Sequence, residues 1–420
     1  MFRRDSYDAV VIGAGPGGCA TAAIAARHGL QVLLLDRSPQ TTFKVGESLI
    51  PDTYFTLERM GALDRMRRSS FPEKHSVQFY ARNGRASTPF YFSKLRDHES
   101  SRTWQVLRSE FDHLLFCTAA DQGAECWRGV GVKEVLFEGD RAVGVRVEGP
   151  GVEARDVPCK VVVDASGQSG LLTRRLGIPK HSYGLDNAAV WSHFRSAQRD
   201  PGLDEGATLV LRTSDSEAWF WYIPLPEDIV SVGVVGSLEH MVQRRTTMPH
   251  DTFWDEVDKC PEVKSRLRSA QQTRPIMVVR DFSYRHDRMA GDGWILVGDA
   301  YQFIDPLYSS GVLLALKGGE MAADAIAGAV AANDVSAAKL RAHESTLRGG
   351  AEAICTLVKS FYNPEFSFGE FLREYPHLQR DITRILVGDV MTGGFEDLWQ
   401  AMDSFQLRLR EVGAATAATA

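Results

Sequence analysis

The segment YDAVVIGAGPGGCATAAIAARHGLQVLLLD, residues 7–36, constrains the fold of this chain most. An apolar strand runs into the glycines Gly13, Gly15 and Gly18 of a G-x-G-x-x-G motif, an alanine-rich helix follows, and a second apolar strand ends at Asp36. The first glycine allows a tight turn, the second lets the backbone approach a pyrophosphate, and the third lets helix and strand pack closely. Asp36 stands where a carboxylate accepts hydrogen bonds from ribose hydroxyls. The segment therefore predicts a Rossmann-like unit that binds a dinucleotide.

Two later strand ends favour FAD as that dinucleotide. The segment CKVVVDASGQSG contains an apolar strand that ends at Asp164, and GWILVGDAYQFIDPLYSSGV contains another that runs into Gly298 and Asp299. The following loop reaches Gly311 at the head of a long helix. An aspartate at a strand end can reach ribityl hydroxyls, and amides at a helix N-terminus can stabilise a reduced, anionic flavin ring. No second G-x-G-x-x-G follows a strand, so we expect no separate NAD(P)H domain.

The order of these segments predicts an α/β fold: a Rossmann-like FAD-binding domain with an inserted β-sheet substrate module and a helical C-terminal region. The FAD-binding domain is expected from three stretches, the substrate-side sheet from two, and a disordered tail at the end. The predicted stretches are 1–72, 101–180 and 281–330 for the FAD domain, 73–100 and 181–280 for the sheet module, 331–410 for the helical region and 411–420 for the tail.

Composition excludes several classes of protein. With 420 residues, 44% hydrophobic and 24% charged, the chain is typical of a globular protein of two or three modules. The net charge of −6 argues against a nucleic-acid binder. Neither a signal region nor a long apolar run is found, so we expect no membrane span and a cytoplasmic location. The cysteines are scattered and the histidines lack ligand spacing, so we expect neither disulfides nor a metal.

The stretch WFWYIP places two tryptophans one residue apart. At the two-residue period of a strand, Trp219 and Trp221 point to the same face, and Pro224 suits the end of a strand or an edge. Because aromatic residues are favoured in strands, one interpretation is a buried face that only packs the sheet. The rest of the chain must decide between this packing and a role in chemistry.

Several motifs together resemble those of the flavin-dependent halogenases. The glycine motif, the DASG turn and the GDA turn resemble the p-hydroxybenzoate-hydroxylase type of FAD fold. The stretches KVGESLIP, WFWYIP and FIDPLYSSG narrow the resemblance to the halogenases, whose W-x-W-x-I-P signature is matched at every fixed position. The resemblance spans about residues 7–330, and FYNPEFSFGEFLREYP is similar to the C-terminal part of halogenases that act on phenols.

This resemblance implies an enzyme in which reduced FAD and oxygen convert chloride or bromide to hypohalous acid, which then halogenates an aromatic ring. It implies that the indoles of Trp219 and Trp221 wall the substrate away from the flavin, as closed sites exclude reactive partners. It further implies that a halide lies near the backbone amides of Ser310 and Gly311, where a helix dipole favours an anion.

In the family a lysine holds or relays the hypohalous acid, and the matching residue is Lys74, which lies 28 positions after Gly46 of the Gly-Glu-Ser motif. The residues around it, KHSVQF, differ from the usual family text. A surface lysine without a role is the ordinary alternative. If the lysine is desolvated, its equilibrium shifts toward the neutral amine that reacts with hypohalous acid, and the charged form can donate a hydrogen bond.

Two further sites follow from the resemblance. WQVLRSEFDHLL is predicted as an amphipathic helix from Trp104 to Leu115, and the resemblance implies that Gln105 and Arg108 at its start touch the FAD. An exposed helix arginine without a role is the alternative for Arg108. Tyr308 stands where tryptophan halogenases carry a glutamate, which argues against free tryptophan and favours an electron-rich phenol or pyrrole.

Three classes of function are compatible with these motifs. The leading one is a halogenase that receives reduced FAD from a separate flavin reductase and acts on a small aromatic substrate, free or tethered to a carrier protein. The second is an FAD-dependent monooxygenase or oxidoreductase of the same fold, and the third is a non-catalytic flavin-binding protein. A product that contains oxygen regardless of halide would select the second.

Overall fold

The computed structural model of this chain describes residues 2–41, 43–243, 248–280 and 283–418, with side chains up to residue 409. These residues form two large sheets and a helical C-terminal region, as the predicted α/β fold requires.

The first sheet carries the glycine motif at its centre. The strand Tyr7–Ile12 lies parallel to its two neighbours. One neighbour, Val32–Asp36, ends at the motif's aspartate, and the other, Val152–Asp164, leads into the DASG turn. A hairpin extends the sheet antiparallel to the start of the longest strand. In spatial order the strands are Ala290–Gly291, Trp294–Leu296, Val152–Asp164, Tyr7–Ile12, Val32–Asp36 and Glu125–Arg128, with Gly131–Glu138 and Arg141–Gly149 as the hairpin.

Two helices pack closely on this sheet. The helix Pro16–Arg27 follows the glycine turn, and the helix Gly311–Ala331 crosses it at short range. A Cβ atom at Gly319 would lie 2.3 Å from the carbonyl oxygen of Gly17, so only glycine permits this approach. The long helix therefore packs directly against the start of the helix that follows the glycine turn.

The second sheet is built from the two stretches that the sequence assigns to a substrate-side module. Its strands are antiparallel except for one parallel pair, Thr208–Arg212 with Ser76–Tyr80. In spatial order they are Gln271–Gln272, Asn187–Arg195, Ile229–Ser237, Ala218–Pro224, Thr208–Arg212, Ser76–Tyr80 and Phe90–Tyr91, with Met277–Val279 also beside Asn187–Arg195. Two small sheets complete the strands: Lys180–Ser182 with Tyr284–His286 and Gln302–Phe303, and Glu73–Lys74 with Thr103–Trp104.

The strand Ala218–Pro224, which we call the tryptophan strand, is buried along its whole length. Trp219 and Trp221 face the core shared with the first sheet, whereas Phe220 and Tyr222 face a second core that also contains Phe253. The predicted alternation is therefore confirmed, and Pro224 ends the strand as expected. The strand is central in its sheet, between two antiparallel neighbours.

Helices lie between the strands along the chain and form the C-terminal region. The α-helices are Pro16–Arg27, Thr53–Arg59, Leu63–Arg67, Arg108–Asp121, Leu171–Arg175, Pro249–Asp258, Pro261–Arg266, Gly311–Ala331, Ala337–Leu340, Glu344–Tyr362, Phe368–Glu374, Gln379–Val387 and Glu396–Ala418. No described helix has the length and apolarity that crossing a bilayer requires.

Two predicted boundaries differ from the structure. The helix predicted over Trp104–Leu115 begins only at Arg108, because Thr103–Trp104 pairs as a short strand with Glu73–Lys74. The last helix includes residues 411–418 of the predicted disordered tail, where the alanine-rich sequence favours helix, and residues 419–420 lie outside the described chain.

Candidate active site

The glycine turn has the geometry that a pyrophosphate needs. Gly13 has φ +102°, and a Cβ atom there would lie 2.4 Å from the carbonyl oxygen of Ala165. A Cβ at Gly18 would lie 2.0 Å from the carbonyl oxygen of Gly13, so helix and strand require glycine at both positions. Gly15 has nothing within 4 Å on its Cβ side, which leaves its backbone open to a ligand. The three glycines thus occupy the three predicted positions.

Asp36 and Asp164 differ in what they leave for a cofactor. Asp36 accepts the backbone N–H groups of Ala14 and Ser38 at 2.9 and 2.8 Å and remains partly exposed. Asp164 is fully buried, and its two oxygens accept the N–H groups of Ser166 and Leu172. Asp164 thus holds the DASG turn in place, and its contact with ribityl hydroxyls stays a prediction.

Asp299 carries a carboxylate that makes no hydrogen bond within the described chain, although its backbone oxygen accepts the hydroxyl of Tyr284. Burial raises its pKa to about 6, while the positive charges of Arg108 and Lys44 counteract the rise. Gly298 before it has φ +63° and faces Ala315 of the long helix. An unpartnered, half-buried carboxylate at this strand end fits a ligand with hydroxyl or N–H groups.

Arg108 and Gln105 lie deeper than the sequence predicts. The guanidinium of Arg108 is paired with Asp112 at 2.9 Å and donates to the carbonyl oxygen of Val45 at 2.6 Å. Gln105 is fully buried and donates to the carbonyl oxygen of Gly206 at 2.8 Å. The donors of both side chains are therefore used within the described chain, and the contact of Gln105 and Arg108 with FAD stays a prediction.

Lys74 is buried, with 2% of its surface exposed. Its ammonium donates to the hydroxyl of Ser48 at 2.8 Å and to the carbonyl oxygen of Leu49 at 3.0 Å, and it lies 5.6 Å from the ring centre of Phe92. No carboxylate within the described chain forms an ion pair with it. Burial without a counter-charge lowers the pKa of Lys74 to about 7. Both protonation states are therefore populated near neutral pH.

A polar cluster holds the acceptor of Lys74 in place. The hydroxyl of Ser48 lies 2.9 Å from that of Thr208, which also accepts the side-chain amide of Gln105 at 2.8 Å. The carbonyl oxygen of the Gln105 side chain has no partner and no exposure. Gln105 therefore belongs to the lysine side of the site.

The segment of residues 45–49 connects this cluster with Arg108. The carbonyl oxygen of Val45 accepts a hydrogen bond from Arg108. The hydroxyl of Ser48 and the carbonyl oxygen of Leu49 accept hydrogen bonds from Lys74. Between them, Glu47 forms a buried pair with His193 at 2.7 Å. Five consecutive residues thus fix the lysine relative to the predicted flavin side.

The two indoles of the tryptophan strand are held by hydrogen bonds from their ring nitrogens. Trp221 donates to the hydroxyl of Ser231 at 3.1 Å, and Trp219 donates to the hydroxyl of Tyr362 at 2.8 Å. Their ring centres are 6.5 Å apart. Gly233 lies opposite Trp221, and a Cβ there would come within 2.3 Å of the indole. The indoles therefore form a fixed aromatic surface.

Tyr362 links this surface to the loop 303–311. Its hydroxyl lies 3.2 Å from the carboxylate of Asp305, which also accepts the amide of Asn187 at 3.0 Å and the backbone N–H of Leu307. Burial raises the pKa of Asp305 to about 6. A hydrogen-bonded chain thus runs from Trp219 through the end of the helix Glu344–Tyr362 to the loop.

That loop ends in Ser310 and Gly311 at the head of the long helix. The hydroxyl of Ser310 is buried and has no hydrogen-bond partner among the residues described. Ser309 has φ +56°, an unusual conformation for a residue other than glycine. A buried, unpartnered donor beside amides at a helix N-terminus is suited to a small anion.

Tyr308 stands one residue before this pair of serines. Its hydroxyl lies 3.5 Å from the carbonyl oxygen of Leu357, and burial raises its pKa above the usual value for tyrosine. The side chain is therefore uncharged and cannot replace the carboxylate of a glutamate at this position.

The sequence alone assigns no role to Ser48, Thr208, Phe92, Asp305 or Tyr362. Ser48 and Asp305 lie within quoted motifs, and Tyr362 lies within the C-terminal one, so the motifs themselves are the available signal. Their partners are distant in sequence, and only the fold brings them together.

The residues present fit FAD. The open side of Gly15, the unpartnered carboxylate of Asp299 and the unpartnered hydroxyl of Ser310 offer acceptors and donors to a long, polar cofactor. The described residues contain no cluster of three or more His, Cys, Asp or Glu side chains that could hold a metal ion.

Comparison with known families gives two matches. The tryptophan halogenase family matches residues 93–367, and an NAD(P)-binding Rossmann-like domain matches residues 11–57. The first match covers most of the second sheet, and the second covers the glycine turn.

Individual relatives agree with this result. The chain is 31% identical over 392 residues to the 1H-pyrrole-2-carbonyl-[peptidyl-carrier protein] brominase of Pseudoalteromonas luteoviolacea, covering 92% of this chain and 93% of the relative. It is 29% identical to the corresponding chlorinase of Pseudomonas fluorescens, covering 92% and 90%. The solved structure of a flavin-dependent brominase superposes with a TM-score of 0.85 at 28% identity, covering 97% of this chain and 100% of that chain. This chain therefore belongs to the tryptophan halogenase family and is a flavin-dependent halogenase with an FAD-binding, Rossmann-like fold.

Proposed function

We propose that this flavin-dependent halogenase places chlorine or bromine on an electron-rich phenol or pyrrole that is tethered to a carrier protein as a thioester. Lys74 holds or relays the hypohalous acid, and a separate flavin reductase supplies reduced FAD. The observation that carries the proposal is the burial of Lys74 without a counter-charge, beside the motif that joins it to the flavin side.

Each part of the site has a distinct task in this reaction. When bound, reduced FAD supplies, together with oxygen, the two-electron oxidation of a halide ion. Gly13, Gly15 and Asp36 are the residues that would hold its pyrophosphate and ribose, and Asp299 would accept from its polar chain. Ser310 and the amide of Gly311 would bind the halide.

Lys74 can act in both of its protonation states. The neutral amine takes the halogen of hypohalous acid and water leaves; the ring then takes the halogen from the nitrogen, and the ring proton returns the amine to its starting state. The ammonium form donates a hydrogen bond to hypohalous acid and polarises it toward the ring. A pKa of about 7 makes both forms available at neutral pH.

Trp219 and Trp221 separate the two chemical steps. Both indoles are buried in the core between the sheets, and their ring nitrogens are hydrogen-bonded. A fixed apolar surface keeps the substrate away from the flavin, where the hypohalous acid forms, and lets only a small molecule pass.

The substrate class is supported by two observations. Tyr308 is half-buried and uncharged, so the site lacks the carboxylate that would assist a less activated ring. Two relatives that align with more than nine-tenths of this chain act, by name, on pyrrole-2-carbonyl groups carried by a peptidyl carrier protein. A pyrrole or phenol thioester is therefore the first substrate to test.

The test is a reconstituted reaction with FAD, NADH, a flavin reductase, oxygen and bromide or chloride. Pyrrole-2-carbonyl and hydroxybenzoyl groups are supplied as carrier-protein thioesters, with free tryptophan as comparison. We expect mass-spectrometric products that contain halogen and depend on both halide and reductase.

Two results would contradict the proposal. Efficient halogenation of free tryptophan, without halogenation of the thioesters, would contradict the proposed substrate class. An oxygenated product formed equally with and without halide would move the chain to the monooxygenase alternative, in which the indoles would not separate substrate from flavin.

A further inference from the structure

The hairpin that follows Lys74 is rich in positive charge. Residues 81–96, ARNGRASTPFYFSKLR, contain four basic residues and no acidic one, although the whole chain has a net charge of −6. Arg96 is used internally, since it is paired with Asp52 at 3.1 Å. We call the other three residues, Arg82, Arg85 and Lys94, the basic stripe.

The basic stripe is exposed and has no ion-pair partner among the described residues. All three side chains are on the surface, and none of them lies within 4 Å of a carboxylate in the part of the chain that the structure describes. Arg82 and Arg85 lie at the tip of the hairpin, where the N–H of Ala81 donates to the carbonyl oxygen of Arg85. Such charges are free to attract an acidic partner.

The same hairpin covers Lys74. Phe92 is 2% exposed, its ring lies 5.6 Å from the ammonium of Lys74, and its N–H donates to the carbonyl oxygen of His75. The ring also lines a narrow surface cleft together with Pro51 and Leu95. Lys94 belongs to the same short helix as Phe92, so one cation of the stripe is carried by the turn that covers the lysine.

We infer that the basic stripe is the docking surface for an acidic carrier protein that delivers its thioester to Lys74. This inference rests on the proposed function and adds the surface that receives the partner. A carrier protein must place a flexible arm at the lysine while its own folded body stays outside. Unpaired cations on the hairpin that covers the lysine provide the complementary charge for such a body, and a free small substrate would have no use for them.

The experiment compares two triple variants with wild type. The stripe variant is Arg82→Glu/Arg85→Glu/Lys94→Glu. The matched control is Arg268→Glu/Lys339→Glu/Arg341→Glu, which reverses three exposed cations elsewhere and so changes the net charge equally. The probe is pyrrole-2-carbonyl thioester, attached either to an acidic peptidyl carrier protein or to free pantetheine, with reduced FAD in excess.

We expect the stripe variant to lose about 10- to 1,000-fold in kcat/KM for the carrier-bound thioester at low salt, the range typical of electrostatic steering. Its kcat/KM for the pantetheine thioester should stay near that of wild type, and the control variant should resemble wild type with both. Added salt should weaken the wild-type reaction with the carrier and leave the stripe variant unchanged.

Carrier binding, measured by fluorescence anisotropy without flavin, separates this inference from the proposed function. If wild type halogenates neither thioester, the proposed function fails, while weaker carrier binding by the stripe variant would still support the surface. Equal carrier binding by wild type and stripe variant overturns the inference. An equal loss with both thioesters also overturns it, since the residues would then serve the chemistry. The milder variant Arg82→Gln/Arg85→Gln/Lys94→Gln gives the same comparison if the charge reversal does not fold.

Discussion

Replacement of Lys74 by methionine should make the protein more stable and abolish halogenation. Methionine has similar length and no charge, so it fills the space beside Phe92 without requiring water or a counter-ion. An ordinary lysine at the surface leaves the free energy of unfolding nearly unchanged or raises it slightly. A lysine that is kept buried for chemistry should instead reduce the free energy of unfolding.

The size of this effect follows from the pKa. A lowering of the pKa from the ordinary 10.5 to about 7 corresponds to about 5 kcal/mol when the lysine is protonated in both the folded and the unfolded state. Methionine leaves the hydroxyl of Ser48 with Thr208 as its partner but removes the donor to the carbonyl oxygen of Leu49. Loss of the two hydrogen bonds from the ammonium costs about 1 kcal/mol each. The net gain for Lys74→Met should be about 3 kcal/mol below pH 7.

The gain should depend on pH in a defined direction. Because the folded pKa lies below the unfolded one, the unfolded chain binds more protons between about pH 7 and pH 10, and wild-type stability rises with pH across that window. The advantage of Lys74→Met should therefore shrink by about 2 to 3 kcal/mol between pH 6 and pH 9. The measurement is denaturant unfolding of the FAD-free protein at both pH values, with Lys339→Met, an exposed lysine, as control.

The activity of the same variant completes the test. Lys74→Met and Lys74→Ala should bind FAD and consume oxygen at near wild-type rates, while halogenated product falls by at least the roughly 10²- to 10⁴-fold that proton-transfer or positioning groups contribute. Lys74→Arg should not restore it, because a guanidinium remains charged. A Lys74→Met protein that is destabilised equally at both pH values, or that still halogenates, would refute the reasoning.

Three further results are expected. Tyr362→Phe should release Trp219, shift its indole N–H signal in ¹H–¹⁵N spectra of the FAD-free protein and give about tenfold less halogenated product per oxygen consumed. The control Tyr222→Phe removes a buried hydroxyl from the opposite face of the tryptophan strand; it should lose similar stability and keep the product yield. Equal yields from both variants would contradict the coupling. Ser310→Ala should raise the KM for halide several-fold with little effect on FAD affinity, and an unchanged KM would remove the hydroxyl from halide binding. NADH alone should not reduce bound FAD in stopped-flow absorbance, because no second dinucleotide motif is present in the sequence, and rapid reduction without a reductase would contradict this.

The parts of the site that are local can be predicted from the sequence. Gly18 needs glycine because the carbonyl oxygen of Gly13, five residues earlier, would collide with a Cβ, and such a constraint appears as a short motif. Lys74 can be identified by its distance from the Gly-Glu-Ser motif. Its burial cannot be predicted from the sequence, since its neighbours Ser48 and Phe92 come from other segments.

The helix start that differs from the prediction, the direction of the Asp164 side chain and the residues without a predicted role all depend on the folded structure rather than on local sequence pattern. The surroundings of Gln105 are compatible with a helix, yet the pairing of Thr103–Trp104 with Glu73–Lys74 overrides that preference. The sequence places Asp164 correctly at a strand end, but the direction of its side chain depends on the N–H groups of the turn that follows. Tyr362 and Asp305 are 57 residues apart, and no periodicity connects them.

Packing and chemistry are not alternatives for the tryptophan strand. A strand buried on both faces cannot move as a loop would, so the indoles on one face are held by the core on the other, where Tyr222 donates to the carbonyl oxygen of Gln198 at 2.7 Å. Gly233 has no side chain, and this lets the indole of Trp221 lie against the neighbouring strand Ile229–Ser237. A barrier between two reactive compartments has to be rigid, and a central strand with hydrogen-bonded indoles is more rigid than a surface loop. The aromatic packing that the sequence favours is therefore the physical means by which these tryptophans can act as a barrier.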